Sequence, residues 1–93
     1  MEYKKQLENN KVCISYVKIM PQEEIGLHYD EYPQVVIALS GGILTRLEAN
    51  GSQTQVEFPT NTPVFRPAET PDKMHKTLNA TSAPIELTII QLK

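Results

Sequence analysis

Residues 26–42 read GLHYDEYPQVVIALSGG, and this stretch contains the features that decide the fold. The run 34–39 is almost wholly apolar and follows a proline, which is typical of a strand buried on both faces or nearly so. Gly41-Gly42 closes the run with a predicted turn, because glycine accepts a positive φ without steric cost. His28 and Asp30 stand immediately before this predicted core strand.

Short strands account for most of the remaining chain. β-branched and aromatic residues between turns predict strands at 11–20, 43–48, 53–58, 64–66, 75–79 and 85–92. Asn50-Gly51 is the strongest hairpin signal and joins two of these strands. Residues 2–9 read either as a helical turn or as an edge strand. Eight or so short strands, with seven prolines and four glycines, predict an all-β sandwich or barrel.

Length and charge limit the organisation and the partners. The 93 residues predict a single domain, residues 1–93, and 40% hydrophobic residues suffice for one core. Nine basic and eleven acidic residues give a net charge of −2, and the basic ones are scattered. This pattern argues against nucleic acids and anionic membrane surfaces as partners.

No segment of the sequence has the length of a membrane-spanning helix, and the polar N-terminus lacks the apolar core of a signal peptide. We therefore expect a cytoplasmic protein. The single cysteine, Cys13, excludes an internal disulfide and a Cys-x-x-Cys site. Its apolar neighbours predict a buried side chain rather than a reactive thiol.

The two histidines carry the candidate chemistry. His28 and Asp30 are two residues apart, so in an extended chain their side chains project to the same face. If His75 approaches from another strand, the three form the two-histidine, one-carboxylate set suited to ferrous iron or a similar divalent ion. A rim histidine bonded to backbone, beside a solvated acidic turn, explains the same residues without a metal.

The surroundings of these residues resemble the cupin superfamily. The first cupin motif, a Gly, His-x-His, a glutamate, an apolar strand and a closing Gly, matches here at Pro21, Gly26, His28, Asp30, Gln34 and Gly41 or Gly42. The second motif, which ends in His-x-x-x-Asn, matches at Pro67, His75 and Asn79. With residues 65–68 upstream, it is similar to small single-domain RmlC-like cupins of the beta-alanine-degradation type.

The resemblance covers about residues 12–92 and implies a cupin, or double-stranded β-helix (jelly-roll), barrel with its core at about 11–92. It also implies a divalent metal, iron, manganese, nickel or zinc, at His28, Asp30 and His75. The family pattern changes at two ligand positions, and the loop before His75 is longer or lacks the expected glycine. Asp30 stands in place of the second histidine, and Gln34, a weak ligand through its amide oxygen, stands in place of the glutamate. A conventional four-ligand site is therefore not expected.

Three further residues are candidates for binding a small molecule. Arg66 offers positive charge for an anionic ligand near the expected barrel mouth, and Gln34 and Tyr29 border the same mouth. A metal-free acid–base site would combine one histidine with Tyr29, Tyr32 or Glu69.

Three other polar residues are expected to be structural. Arg46 and Lys76 either supply positive charge within the barrel for an anionic ligand or lie on exposed strand faces, and the exposed faces are favoured. Asn79 is predicted to fix a turn with its side chain, as asparagine commonly does.

Two hypotheses for function follow. The first is a cupin that binds or converts a small molecule beside a divalent metal at His28, Asp30 and His75. The second is a degenerate, metal-free cupin that binds an anionic or carbohydrate-like ligand, or acts as a structural or regulatory protein. In both cases a homodimer is expected, since a small core gains from a partner and the resemblance implies pairing through edge strands and the N-terminal segment. The sequence favours neither an enzyme nor a binding protein, because one barrel hosts many functions.

Overall fold

The computed structural model describes residues 1–93 and contains nine strands and one 3₁₀ turn, Pro71–Lys73. The strands are β1 Glu2–Glu8, β2 Val12–Ile19, β3 Glu24–His28, β4 Gln34–Ser40, β5 Gly42–Glu48, β6 Gln53–Phe58, β7 Pro63–Arg66, β8 His75–Leu78 and β9 Ile85–Leu92. Five strands form one sheet in the order β1-β2-β9-β4-β7, and four form the second in the order β3-β8-β5-β6. All the paired strands are antiparallel. The predicted all-β jelly-roll architecture is confirmed.

The ends of the chain show where local sequence was ambiguous. Residues 2–9 form the edge strand β1 rather than a helical turn, and Glu2 pairs with Lys18 of β2. β3 was not predicted as a strand, because it is short and interrupted by Gly26. The predicted loop 67–74 contains the 3₁₀ turn, in which Pro71 occupies the first position. Proline is favoured there because its missing N–H has no partner in the first turn of a helix.

The prediction that strand 34–39 is buried on both faces or nearly so holds fully for one face only. In β4, Val36 and Ala38 are fully buried, whereas the alternate residues Val35 and Ile37 are only partly buried and Leu39 is exposed. The strand has one face on the core and one on the outside of the barrel, so its continuous apolar run reflects an apolar outer face rather than double burial.

The predicted Gly41-Gly42 turn is not observed, because Gly41 alone separates β4 from β5 and Gly42 begins β5. Only one glycine has a positive φ, Gly51 at 91°, in the β5–β6 hairpin. Gly41 is instead required by space, because a Cβ there would lie 2.2 Å from the Phe58 carbonyl oxygen and 2.7 Å from the Thr60 nitrogen. The chain thus crosses from β4 to β5 in close contact with the loop after β6.

The core lies between the inner faces of the two sheets. Its cluster of buried residues is Val17, Ile19, Val36, Ala38, Leu44, Phe58, Ile85 and Leu87. Cys13 is buried and free, as expected. The structure has no helix with the length and apolar character that a membrane crossing requires.

Candidate metal centre and cavity

A cavity of about 260 Å³ opens between the two sheets. Its deeper wall is apolar and includes Val36, Leu44 and Leu87, whereas polar side chains concentrate at one end. This polar end is formed by His28, Asp30 and His75 on one side and by residues of β4, β7 and β9 on the other. The three predicted metal ligands therefore lie together in the cavity wall.

The two histidines meet because β3 and β8 are paired strands. His28 and His75 are register partners, and their ring centroids are 4.5 Å apart with planes inclined at 54°. His28 ends β3 and His75 begins β8, so both sit at the same end of the sheet. His75 is buried, with a side chain only 4% exposed, whereas the side chain of His28 is 31% exposed.

Asp30 completes the group from the loop that follows β3. Its Oδ1 lies 4.0 Å from His28 Nε2, and its Oδ2 lies 4.0 Å from His75 Nε2. One potential ligand atom from each of the three residues lies within 4.8 Å of the other two. The predicted convergence of His28 and Asp30 thus occurs, although Asp30 lies just beyond the strand.

Backbone carbonyl oxygens orient both imidazoles through hydrogen bonds from Nδ1. His28 Nδ1 lies 2.6 Å from the Gly26 oxygen, and His75 Nδ1 lies 3.0 Å from the Lys73 oxygen. A carbonyl oxygen only accepts, so each Nδ1 carries a proton, and in the neutral imidazole Nε2 keeps the lone pair. A backbone carbonyl oxygen that accepts from the other ring nitrogen is a usual orienting partner of a metal-binding histidine.

Glu69 and Arg46 form the outer support of the group. Glu69 Oε1 accepts a hydrogen bond from the Asp30 N–H (3.0 Å), and the Glu69 N–H donates to the Asp30 carbonyl oxygen (2.7 Å). Glu69 Oε2 pairs with Arg46 at 2.7 Å, and Arg46 also pairs with Glu48 at 2.5 Å. Glu69 thereby ties the Asp30 loop to the sheet that carries His75.

The charges of this support depend on each other. Burial would raise the pKa of Glu69, but the Asp30 N–H and the Arg46 guanidinium outweigh it and lower that pKa. Burial would likewise lower the pKa of Arg46, but its hydrogen bonds to Glu48 and Glu69 raise it. Both groups are therefore charged, and Arg46 is neutralised by its two carboxylates.

The expectation that Arg46 lies on an exposed strand face is wrong. Its side chain is only 14% exposed, and its Nη1 lies 3.5 Å from His75 Nε2. In β5, apolar residues occupy both alternating sets, Ile43 and Leu47 in one and Leu44 in the other. The sequence pattern therefore did not tell which set faces the cavity.

The predicted ligand-binding residues divide between the cavity and its surroundings. Gln34 is buried and lines the cavity, as does Arg66. Tyr29 is half-buried but does not line the cavity. Gln91 of β9 also lines the cavity and was missed, because a glutamine near the chain end carries no motif.

Asn79 has the structural role predicted for it. It is fully buried, and its Nδ2 donates to the carbonyl oxygens of Ile19 and Ala83, both at 2.9 Å. Its Oδ1 accepts from the N–H and the hydroxyl of Thr81. It holds the β8–β9 connection against the end of β2.

Comparison with known structures identifies the arrangement of the two sheets. A cupin domain from Bordetella pertussis Tohama I superposes with a TM-score of 0.86 at 20% identity, over 99% of this chain and 92% of that one. The fold is that of the cupins. An RmlC-like cupin with a double-stranded β-helix fold from Methanocaldococcus jannaschii superposes with a TM-score of 0.72 at 15% identity, over 98% of this chain and 78% of that one.

The cupin fold also occurs in a larger enzyme. The polyketide cyclase RemF from Streptomyces resistomycificus superposes with a TM-score of 0.68 at 12% identity, over 97% of this chain and 63% of that one. The sequence matches no protein-family model, and the comparison with curated proteins gave no match. At these identities the similarity establishes the fold, and function has to be argued from the site.

Proposed function

We propose that this protein binds a divalent metal with His28, Asp30 and His75 and holds a small molecule in the adjoining cavity. The observation that carries the proposal is the convergence of the three side chains, with both Nε2 lone pairs left available by the backbone carbonyls. Two imidazoles and one carboxylate suit iron, manganese, nickel or zinc, and iron in particular is bound by such a triad. Three protein ligands leave coordination positions open toward the cavity.

The geometry requires a small contraction on metal binding. Ligand atoms around one ion, with bonds of about 2.0–2.2 Å, lie roughly 3.0–3.5 Å apart. Each Nε2 lies 4.0 Å from an oxygen of Asp30, and the three ligand atoms lie within 4.8 Å of one another, so the partly exposed side chains of His28 and Asp30 have to rotate inward. Arg46 also has to leave His75 Nε2, and Glu48 and Glu69 already hold its guanidinium.

A bound divalent metal would act as a Lewis acid toward a ligand atom in the cavity. The chain's own residues supply the rest of the site. Lys73 and Gly26 orient the imidazoles through their carbonyl oxygens, and Glu69 holds the loop that carries Asp30. The apolar deeper wall keeps water away from the bound molecule.

Metal analysis tests the proposal. Protein purified without chelator should contain iron, manganese, nickel or zinc, or should take up one equivalent on titration, and saturation should raise the melting temperature. His75→Ala and Asp30→Asn should each lower the affinity for the metal by a factor of ten or more, as loss of a ligand does. Asp72→Asn is the matched control, because it makes the same change outside the group.

If the wild-type protein contains no bound metal and takes up none on titration, the proposal is wrong. Equal affinities in the wild type and in both ligand variants would show that any metal binds elsewhere. Retention of the wild-type circular dichroism spectrum identifies variants that are folded.

A second candidate, a metal-free ligand-binding cupin, is favoured by Asp30 and Gln34, which stand where the family pattern has histidine and glutamate. Under this function, small anions or sugars should raise the melting temperature of the metal-free protein while divalent metals do not. A shift caused by metals alone would reject it.

We also propose that the protein is a homodimer. On the outer face of the five-stranded sheet, one register row runs across all five strands through Leu7, Ile14, Ile90, Val35 and Phe65. Phe65 is 61% exposed and Leu7 48% exposed, so the row presents an apolar surface of the kind that subunits bury. Sedimentation analysis should give a mass near twice 10.5 kDa, and Phe65→Glu should shift it toward the monomer. A wild-type monomer would reject the proposal.

The cytoplasmic location stays a prediction from the sequence.

A further inference from the structure

We propose that the cavity wall facing the three candidate metal ligands is a carboxylate-binding subsite formed by Arg66, Gln34 and Gln91. Its ligand is a small carboxylic acid with a short apolar body. The inference rests on the proposed function only in that the same cavity receives the ligand.

Strand register places the three side chains in one row. Gln34 of β4 is the register partner of Arg66 in β7 on one side and of Gln91 in β9 on the other. Side chains of directly opposite residues project to the same face, about 4.5–5.5 Å apart at Cβ. All three line the cavity, so they form a continuous polar strip across its wall.

The strip has unused hydrogen-bonding capacity. Arg66 takes part in no ion pair of the structure. Its side chain and those of Gln34 and Gln91 make no hydrogen bond within the chain. Every fully buried side-chain polar atom of the protein has a hydrogen-bond partner, whereas the Gln34 amide has none. The amide of this otherwise buried residue therefore keeps exposed surface, which faces the open cavity. A guanidinium fork beside two amide N–H₂ groups suits a carboxylate, which accepts several such bonds.

Charge distinguishes Arg66 from the other arginine of the cavity. Arg46 lines the same cavity but is paired with Glu48 and Glu69. Arg66 is therefore the cavity's one arginine that no carboxylate neutralises.

The wall next to the strip defines the remainder of the ligand. The next inward-facing register row consists of Val64, Val36 and Ile89, of which Val36 and Ile89 line the cavity, as do Leu44 and Val56 of the other sheet. The volume of about 260 Å³ lies below the range of roughly 300–1,000 Å³ typical of drug-sized pockets. A carboxylate on the polar strip with a short aliphatic or aromatic group against these side chains fits both features.

The experiment compares carboxylates with their amides. Protein freed of metal by a chelator and then dialysed is titrated with butyrate and benzoate, and in parallel with butyramide and benzamide, with nitrogen-15 amide shifts as the readout. Each carboxylate should bind at least ten-fold more tightly than its amide. The shifts should concentrate around residues 34, 66 and 91.

Variants assign this preference to Arg66. Arg66→Gln should lower the carboxylate affinity by roughly ten- to hundred-fold, the range of a charge-assisted hydrogen bond. Arg66→Lys should retain part of it, because an ammonium keeps the charge but not the planar fork. Lys4→Gln is the matched control, since it removes one positive charge from an exposed position on β1 and should leave the affinities unchanged.

Equal affinities for the carboxylates and amides, or an unchanged carboxylate affinity in Arg66→Gln, would overturn the inference. Metal uptake without a carboxylate preference would overturn the subsite and leave the metal centre standing. Arg66-dependent carboxylate binding by a protein that takes up no metal would support the subsite and contradict the metal centre.

Discussion

At the residue scale, the buried Asn79 shows how one side chain can hold a corner of the barrel. Its amide satisfies the carbonyl oxygens of Ile19 and Ala83, and its carbonyl oxygen accepts from Thr81. Its own N–H donates to the Glu23 carbonyl oxygen. Three connections of the chain therefore meet at a residue with no exposed surface.

We expect Asn79→Ala to lower the free energy of unfolding by about 3 kcal/mol, because it leaves buried carbonyl oxygens without donors. Asn79→Asp should cost a similar amount, since it keeps the acceptor but replaces the donor. Thr81→Ala, which removes one peripheral hydroxyl, should cost about 1 kcal/mol. Urea unfolding measures all three. A loss of less than 1 kcal/mol in Asn79→Ala would contradict the structural role.

At the element scale, the passage from β4 to β5 depends on the absence of a side chain. Gly41 lies against the backbone of Phe58 and Thr60, and its N–H donates to the Thr60 hydroxyl at 2.9 Å. This contact sets where one sheet ends and the other begins, so the two walls of the cavity depend on it. Gly26, in β3, has no atom within 4 Å of the place a Cβ would occupy.

The two glycines form a matched pair for substitution. Gly41→Ala should destabilise the protein by about 3 kcal/mol, because the clash is with backbone atoms that cannot rotate away. Gly26→Ala should change stability by less than about 0.5 kcal/mol, or raise it slightly through the unfolded chain. Thermal and urea unfolding of both variants provide the comparison. Equal effects would show that space at Gly41 is not limiting.

At the scale of the whole molecule, the two chain ends are held by ion pairs. The N-terminal ammonium pairs with Glu23, and Lys93 pairs with Glu8 at 2.6 Å. Hydrogen bonds from Lys5 and Lys93 lower the pKa of Glu8 from its ordinary value of 4.5 to about 2. Glu8 thus connects the edge strand β1 to the residue that follows β9.

Because the pKa of Glu8 is lowered, the stabilisation by its ion pairs decreases as the pH falls. The folded state binds the Glu8 proton more weakly than the unfolded state, so the stabilisation is fully present above about pH 4.5 and is lost as the pH falls through 2. The melting temperature of the wild type should exceed that of Glu8→Gln at pH 6, and the difference should shrink between pH 4.5 and pH 2. Glu57→Gln, at an exposed position of β6, is the control and should show no such trend. A constant difference across this range would contradict the pairing.

Most of the strands could be predicted from local pattern, whereas the jelly-roll arrangement was predicted from the resemblance to cupins. Strands 53–58 and 85–92 match the structure at both ends. Their signals, which are alternation, prolines and the Asn50-Gly51 hairpin, depend only on residues that are close together in the sequence. The candidate metal ligands were also found from spacing, since His28 and Asp30 are close in sequence and a motif carried His75. β3 was not predicted, because a short strand with a central glycine has little local preference for the extended conformation and forms only by pairing with β8.

Local pattern could not predict which residues support the candidate metal ligands, such as Arg46, or which residues form the opposite wall of the cavity. Whether Arg46 faces the cavity or the solvent, and whether Gln91 joins Gln34 and Arg66 in one row, depends on the register between strands far apart in the chain. Register is set by the packing of whole sheets, and a shift of one residue would turn every side chain to the other face. The sequence by itself therefore determined the strands and the ligand candidates, and only the tertiary structure decided which polar residues surround them.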